Sequence, residues 1–131
     1  MLEAPTYPLQ LLTETFAICR LAPDAPLPAW AMRPLVWLSI TRTADELSII
    51  CVDDEAPADV QCKRGYRALK VQGPLAFEEV GVLAGLTRPL AEARISILSI
   101  STYDTDYLFV HSSDLAHAML VLRAIGYFIY E

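Results

Sequence analysis

Apolar residues recur at spacings of three and four in some stretches of this chain and gather in short runs in others. Val80, Leu83, Leu86, Leu90 and Ala93 form the stripe of an amphipathic helix. Pro89 falls inside that stripe and lacks a backbone donor, so it is expected to kink the helix or split it after Thr87. Residues 68–73, 95–100 and 107–110 have strand character, the first ended by Gly73-Pro74. Ser112-Ser113-Asp114 is an N-cap signal for a second helix. Leu115, Met119, Leu122 and Ile125 supply its apolar face, Gly126 marks its end, and 127–130 follows as a last short strand. Strand, helix, strand, strand, helix, strand is the ferredoxin-like order.

The upstream half carries a worn copy of the same order. Residues 15–21, 36–40 and 47–52 read as strands, and 24–32, with early prolines, as a short helix. Residues 57–66 are ambiguous and fit one helical turn and a loop. Leu38-Ser39-Ile40 recurs as Leu98-Ser99-Ile100, and a polar segment and an apolar strand follow each copy. The expectation is therefore an α+β chain of two ferredoxin-like units in tandem, 1–66 and 67–131, the first degenerate. Units of about 65 residues are marginal alone, so close pairing and a homodimer are expected.

Composition narrows the function. The chain has 131 residues, 54% of them hydrophobic, with a mean hydropathy of +0.36, which suits burial of surface in a partner subunit. No apolar run reaches the roughly 18–20 residues that span a bilayer. The first twenty residues hold Glu3, Pro5, Pro8 and Glu14 and no basic region, so no signal peptide is expected. A net charge of -6 and a pI near 4.8 have the wrong sign for a phosphate backbone. A cytoplasmic protein with no nucleic-acid or membrane partner follows as the expectation.

Cys19, Cys51 and Cys62 are widely spaced, and neither His111 nor His117 stands at a metal-pair distance from them. All three are expected to be free thiols, with no metal or other cofactor. No Gly-x-Ser-x-Gly, Cys-His pair or glycine-rich phosphate loop is present, so the chain is not expected to be an enzyme. Val71-Gln72-Gly73 resembles the start of the acylphosphatase motif. The phosphate-binding Arg does not follow it, however, and the chain contains no Asn, which excludes that reading.

Two segments remain. Ser101-Thr102-Tyr103-Asp104-Thr105-Asp106 joins two apolar strands without the Asn-Gly or Asp-Gly of a tight hairpin. It places two carboxylates and a row of hydroxyls where rigid strands tend to present binding groups. Gly81-Val82-Leu83 opens the first long helix, whose unpaired N–H groups suit a carboxylate. Taken alone, Gly81 has the plainer reading of a tight entry or close packing, and Glu78 and Glu79 that of complementing the helix dipole.

Together these segments carry a family resemblance. Gly73-Pro74-Leu75-Ala76-Phe77-Glu78-Glu79-Val80-Gly81-Val82-Leu83-Ala84, Pro89-Leu90-Ala91-Glu92-Ala93, Ile95-Ser96-Ile97 and the 101–106 run resemble the tandem ACT-domain proteins. The resemblance is to the small bacterial relatives of the cytosolic arginine sensors called CASTOR. It implies a regulatory module that binds an amino acid, including a cationic one, between ACT units of two subunits, and that acts on a regulated protein partner. By that resemblance Ala76, Glu79, Val80, Gly81, Val82 and Leu83 form one wall of the site. Thr102, Tyr103 and Asp106 close it, and Ser96 and Ile97 come from the second subunit. It also implies that Asp106 contacts ligand while Asp104 faces solvent. The alternative reading is an ACT-type dimerisation module that binds no ligand, with an uncharacterised enzyme a further one.

Overall fold

The computed structural model describes residues 7–33, 36–76 and 80–131. In chain order the strands are β1 (Leu9–Leu11), β2 (Phe16–Leu21), β3 (Leu38–Arg42), β4 (Leu47–Val52) and β5 (Gln61–Val71). Then come α1 (Val82–Glu92), β6 (Ile97–Ser101), β7 (Asp106–His111), α2 (Leu115–Ala124) and β8 (Ile129–Tyr130). Single 3-10 turns occupy Ala29–Ala31, Asp53–Glu55 and Ser112–Asp114. The α+β, ferredoxin-like architecture expected from the sequence is the one the chain adopts.

Two compact units result. One is Glu14–Tyr66; the other joins the residues up to Thr13 to Arg67–Glu131. In the first, the strands lie in the order β3-β4-β2-β5, all antiparallel neighbours. Inward positions alternate along β4 and β2, so Leu47, Ile49, Cys51, Ala17 and Cys19 form a small core with Ala31 and Ala56. The helix expected over 24–32 is only the turn Ala29–Ala31. Pro23, Pro26 and Pro28 remove donors and hold their predecessors extended, which leaves too little chain for a full helix.

The second unit orders its strands β6-β7-β5-β1-β8. Strand β1, with no periodic signal in its three residues, lies between β5 and β8, antiparallel to the first and parallel to the second. Residues 7–13 thus belong with the second unit, whereas the sequence division at 66/67 had placed them with the first. Strand β5 is also longer than 68–73, because its leading half pairs with β2. One face of these strands buries Leu69, Val71, Leu108 and Val110 against Leu86 and Leu90 of α1 and Ala118 and Leu122 of α2.

Three local expectations are corrected. Helix α1 runs unbroken through Pro89, so it is not split after Thr87. Proline forfeits only its own bond to the Gly85 carbonyl, while the Pro89 carbonyl still accepts from Ala93 N–H at 3.1 Å. Ser112–Asp114 is a 3-10 turn capped by His111, whose Nδ1 accepts from Ser113 N–H at 3.2 Å, and Asp114 stands at the N-cap of α2 without a side-chain capping bond. Finally, Cys19 and Cys62 stand opposite each other on β2 and β5, Cα atoms 4.1 Å apart, and are joined as a disulfide. Cys51 alone is a free thiol, and burial, then the nearby Glu55 carboxylate, pushes it up to about 11. So protonated a thiol is a poor nucleophile.

Candidate functional site

The polar segment between β6 and β7 folds as a self-braced turn. Thr102 N–H donates to the Thr105 carbonyl at 2.8 Å, and Thr102 Oγ1 donates to the same oxygen at 3.0 Å. Thr105 is buried, and its hydroxyl donates to the Val71 carbonyl on β5 at 2.5 Å. At the strand ends Ser101 and Asp106 form a register pair, with Ser101 Oγ donating to Asp106 Oδ1 at 2.5 Å. Most hydroxyls of this segment therefore build the turn. The carboxylates of Asp104 and Asp106 are its open chemistry.

A second contact sets the turn against the chain leaving β5. Leu75 N–H donates to the Asp104 carbonyl at 2.8 Å. A Cβ at position 73 would stand 2.9 Å from Leu75 N and 3.1 Å from the Asp104 oxygen, so glycine is what permits this approach. Gly81 meets a different demand. It caps α1 in the left-handed region, φ 85°, with nothing near its missing side chain. Backbone conformation, not packing, selects glycine there.

Between the turn and the start of α1 lies a cavity of about 320 Å3. Leu75, Ala76 and the first helical turn, from Gly81 to Ala84, form one side; residues 101–106 form the other. Gly81 offers no side-chain cap, and no acidic residue occupies the first turn of α1. The opening N–H groups of the helix thus meet a partly apolar cavity across from two carboxylates. Such a space suits a molecule with an anionic group at one end and a cationic group at the other.

Of the residues anticipated from the sequence, Ala76, Gly81, Val82, Leu83, Thr102, Tyr103 and Asp106 line this cavity together. Val80 is adjacent but 91% exposed, and Tyr103 is 85% exposed at the rim. Glu79 lies outside the described residues. Ser96 is exposed and Ile97 packs against the core at the far end of β6, about 13 Å along the strand from Ser101. They are not brought to this cavity within the subunit. Leu75, Ala84, Ser101, Asp104 and Thr105 were not anticipated as lining residues. For Asp104 the expectation of a solvent-facing side chain is half right, since it is exposed yet lines the cavity.

Comparisons with known proteins agree with this fold. The ACT-domain family matches residues 61–124, and a family described only as an N-terminal domain matches 14–59. Residues 61–124 are thus an ACT domain. Protein Atu0741 from Agobacterium tumefaciens, known from a crystal structure, shares 40% identity over 98% of this chain and 96% of its own, with a TM-score of 0.90. This chain belongs to the same family as that protein. VC0802 from Vibrio cholerae, of unknown function, superposes at a TM-score of 0.71, with 20% identity over 92% of this chain and 88% of its own. The allosteric aspartate kinase of Clostridium acetobutylicum superposes at 0.70, with 10% identity over 96% of this chain but only 36% of the kinase. No curated protein matches the chain in sequence.

Proposed function

We propose that this protein is a stand-alone regulatory module that binds an amino acid in the cavity between α1 and the 101–106 turn. The observation that carries the reading is the cavity itself, because it joins the two segments singled out independently in the sequence. Helix N–H groups would take the carboxylate, and Asp106 and Asp104 the ammonium or a cationic side chain. Tyr103, exposed at the rim, offers an aromatic face to such a cation. The cavity is not filled by its own Tyr103, which favours ligand binding over a purely dimerising role.

The active form in this reading is a homodimer. Val80 and Tyr103 are large apolar groups left exposed beside the cavity, and Ser96 and Ile97 lie too far along β6 to reach it in the same chain. A second subunit would cover the first pair and contribute the second. Ligand then changes assembly or contacts with a regulated protein, without catalysis by this chain. No helix among the described residues is long and apolar enough to cross a membrane. We place the module in the cytoplasm.

Calorimetric titration with the proteinogenic amino acids and polyamines tests the reading. Saturable binding of at least one is expected, and Asp106→Ala should remove it while the protein remains folded, since only a surface hydrogen bond to Ser101 is lost. Folded protein that binds none of these compounds would sink the proposal.

A further inference from the structure

The 102–105 turn has another side. A second cavity, of about 350 Å3, opens there between Lys70 of β5, Tyr107 of β7, the Gly73-Pro74 segment and Asp104. We propose that it is a binding pocket in its own right, for a small zwitterion whose carboxylate meets Lys70 and whose cationic nitrogen meets Asp104.

The charges determine the class of ligand. Lys70 is half-buried and Asp104 exposed, and no ion pair joins them to each other or to any other described residue. An ammonium in a cavity wall without a counterion favours an incoming anion. A simple anion is opposed by the Asp104 carboxylate in the same lining, and a simple cation by Lys70. A molecule carrying both charges satisfies both ends, and hydroxyls of Thr102 and Tyr107 line the space between.

The frame is already built. Asp104 is held through its carbonyl by Leu75 N–H, and Thr105 through its hydroxyl by the Val71 carbonyl. Little ordering is then needed on binding. Thr102, Asp104 and Thr105 line both cavities, so a ligand on one side of the turn alters the wall of the other. Any resulting coupling must be reciprocal.

Asp104 borders both cavities, and amide NMR tells binding at one from binding at the other. Glycine, β-alanine and γ-aminobutyrate, zwitterions of increasing length, are titrated into labelled full-length protein, with acetate and methylammonium as single-charge controls. Saturable shifts are expected at the Lys70, Gly73 and Tyr107 amides for one member of the series. Lys70→Gln should weaken that binding about tenfold or more, while Lys70→Arg retains most of it. Undiminished binding in Lys70→Gln, acetate binding as well as the zwitterions, or no saturation by any of the three would overturn the proposal. Shifts confined to residues 81–84 would also overturn it, while supporting the first cavity.

Discussion

The two units arrange their strands alike but cover them differently. In the unit ending at Glu131, α1 and α2 lay Leu86, Leu90, Ala118 and Leu122 over the sheet. In the unit Glu14–Tyr66 two arginines hold short loops where those helices would be. Arg64 donates to Asp53 Oδ1 at 2.6 Å and to the carbonyls of Asp53, Ala56 and Pro57, fixing the Asp53–Glu55 turn. Arg42, at the end of β3, donates to the Pro23 and Ala25 carbonyls at 2.5 and 2.8 Å. By the Leu-Ser-Ile repeat, Arg42 corresponds to Thr102. The junction that is an open cavity in one unit is therefore spanned by a guanidinium in the other. A helix start leaves donors available for a ligand, whereas a guanidinium consumes the loop's acceptors itself.

The largest predicted difference concerns what holds the arginine-pinned unit together. Its core is small, and the Cys19–Cys62 bond closes a loop of 43 residues across β2 and β5. Reduction with dithiothreitol is expected to cost that unit about 2–4 kcal/mol. Urea melts with and without reductant measure the loss, and amide exchange in α1 and α2 should stay unchanged. Equal midpoints would show that the unit depends on its strands and arginines alone.

The helix-covered unit has its own weak point. Gly73→Ala would press a methyl group against Leu75 N and the Asp104 carbonyl, both backbone atoms that cannot swing aside. About 1–3 kcal/mol of destabilisation is expected, an ordinary cost of overpacking. Because Gly73 borders the second cavity and Asp104 borders both, the Thr102, Thr105 and Leu75 amides should shift while those of Glu14–Tyr66 do not. Unmoved amides in the turn would mean that its seat against Leu75 is looser than the 2.8 Å bond implies.

What could be read from the sequence follows the same division. The helix stripes and the strands on either side of the 101–106 segment carry strong periodicity, so the unit with two helices was legible. In the other unit, prolines broke the helical signal and charged residues such as Lys63 and Arg64 masked the start of β5, although both stand on a strand. The Cys19–Cys62 pairing depends on register between strands far apart in sequence, which spacing does not encode. At the cavity, the residue types in 101–106 drew notice as open binding groups. Only the folded turn reveals that Thr102 and Thr105 are engaged within the backbone frame, leaving the carboxylates as the charged part of the wall.

The smallest effect on stability is the sharpest test of the comparison. Arg42 is exposed, so replacing it by alanine should cost less than about 1 kcal/mol. Its local consequence should be larger, because the Pro23 and Ala25 carbonyls lose their guanidinium and, among the described residues, the loop is left with its own turn bond, Ala25 N–H to the Ala22 carbonyl at 3.1 Å. Faster amide exchange at Ala25 is expected in Arg42→Ala, with no change around Gly81. If the guanidinium occupies the junction as a built-in ligand, added methylguanidinium should slow that exchange again in the variant and leave the wild-type protein unaffected. Rescue would establish that the two junctions differ by a resident cation. Exchange at Ala25 unaltered by the substitution would instead assign the loop's order to its prolines, whose fixed φ already limits the chain on both sides of Ala25.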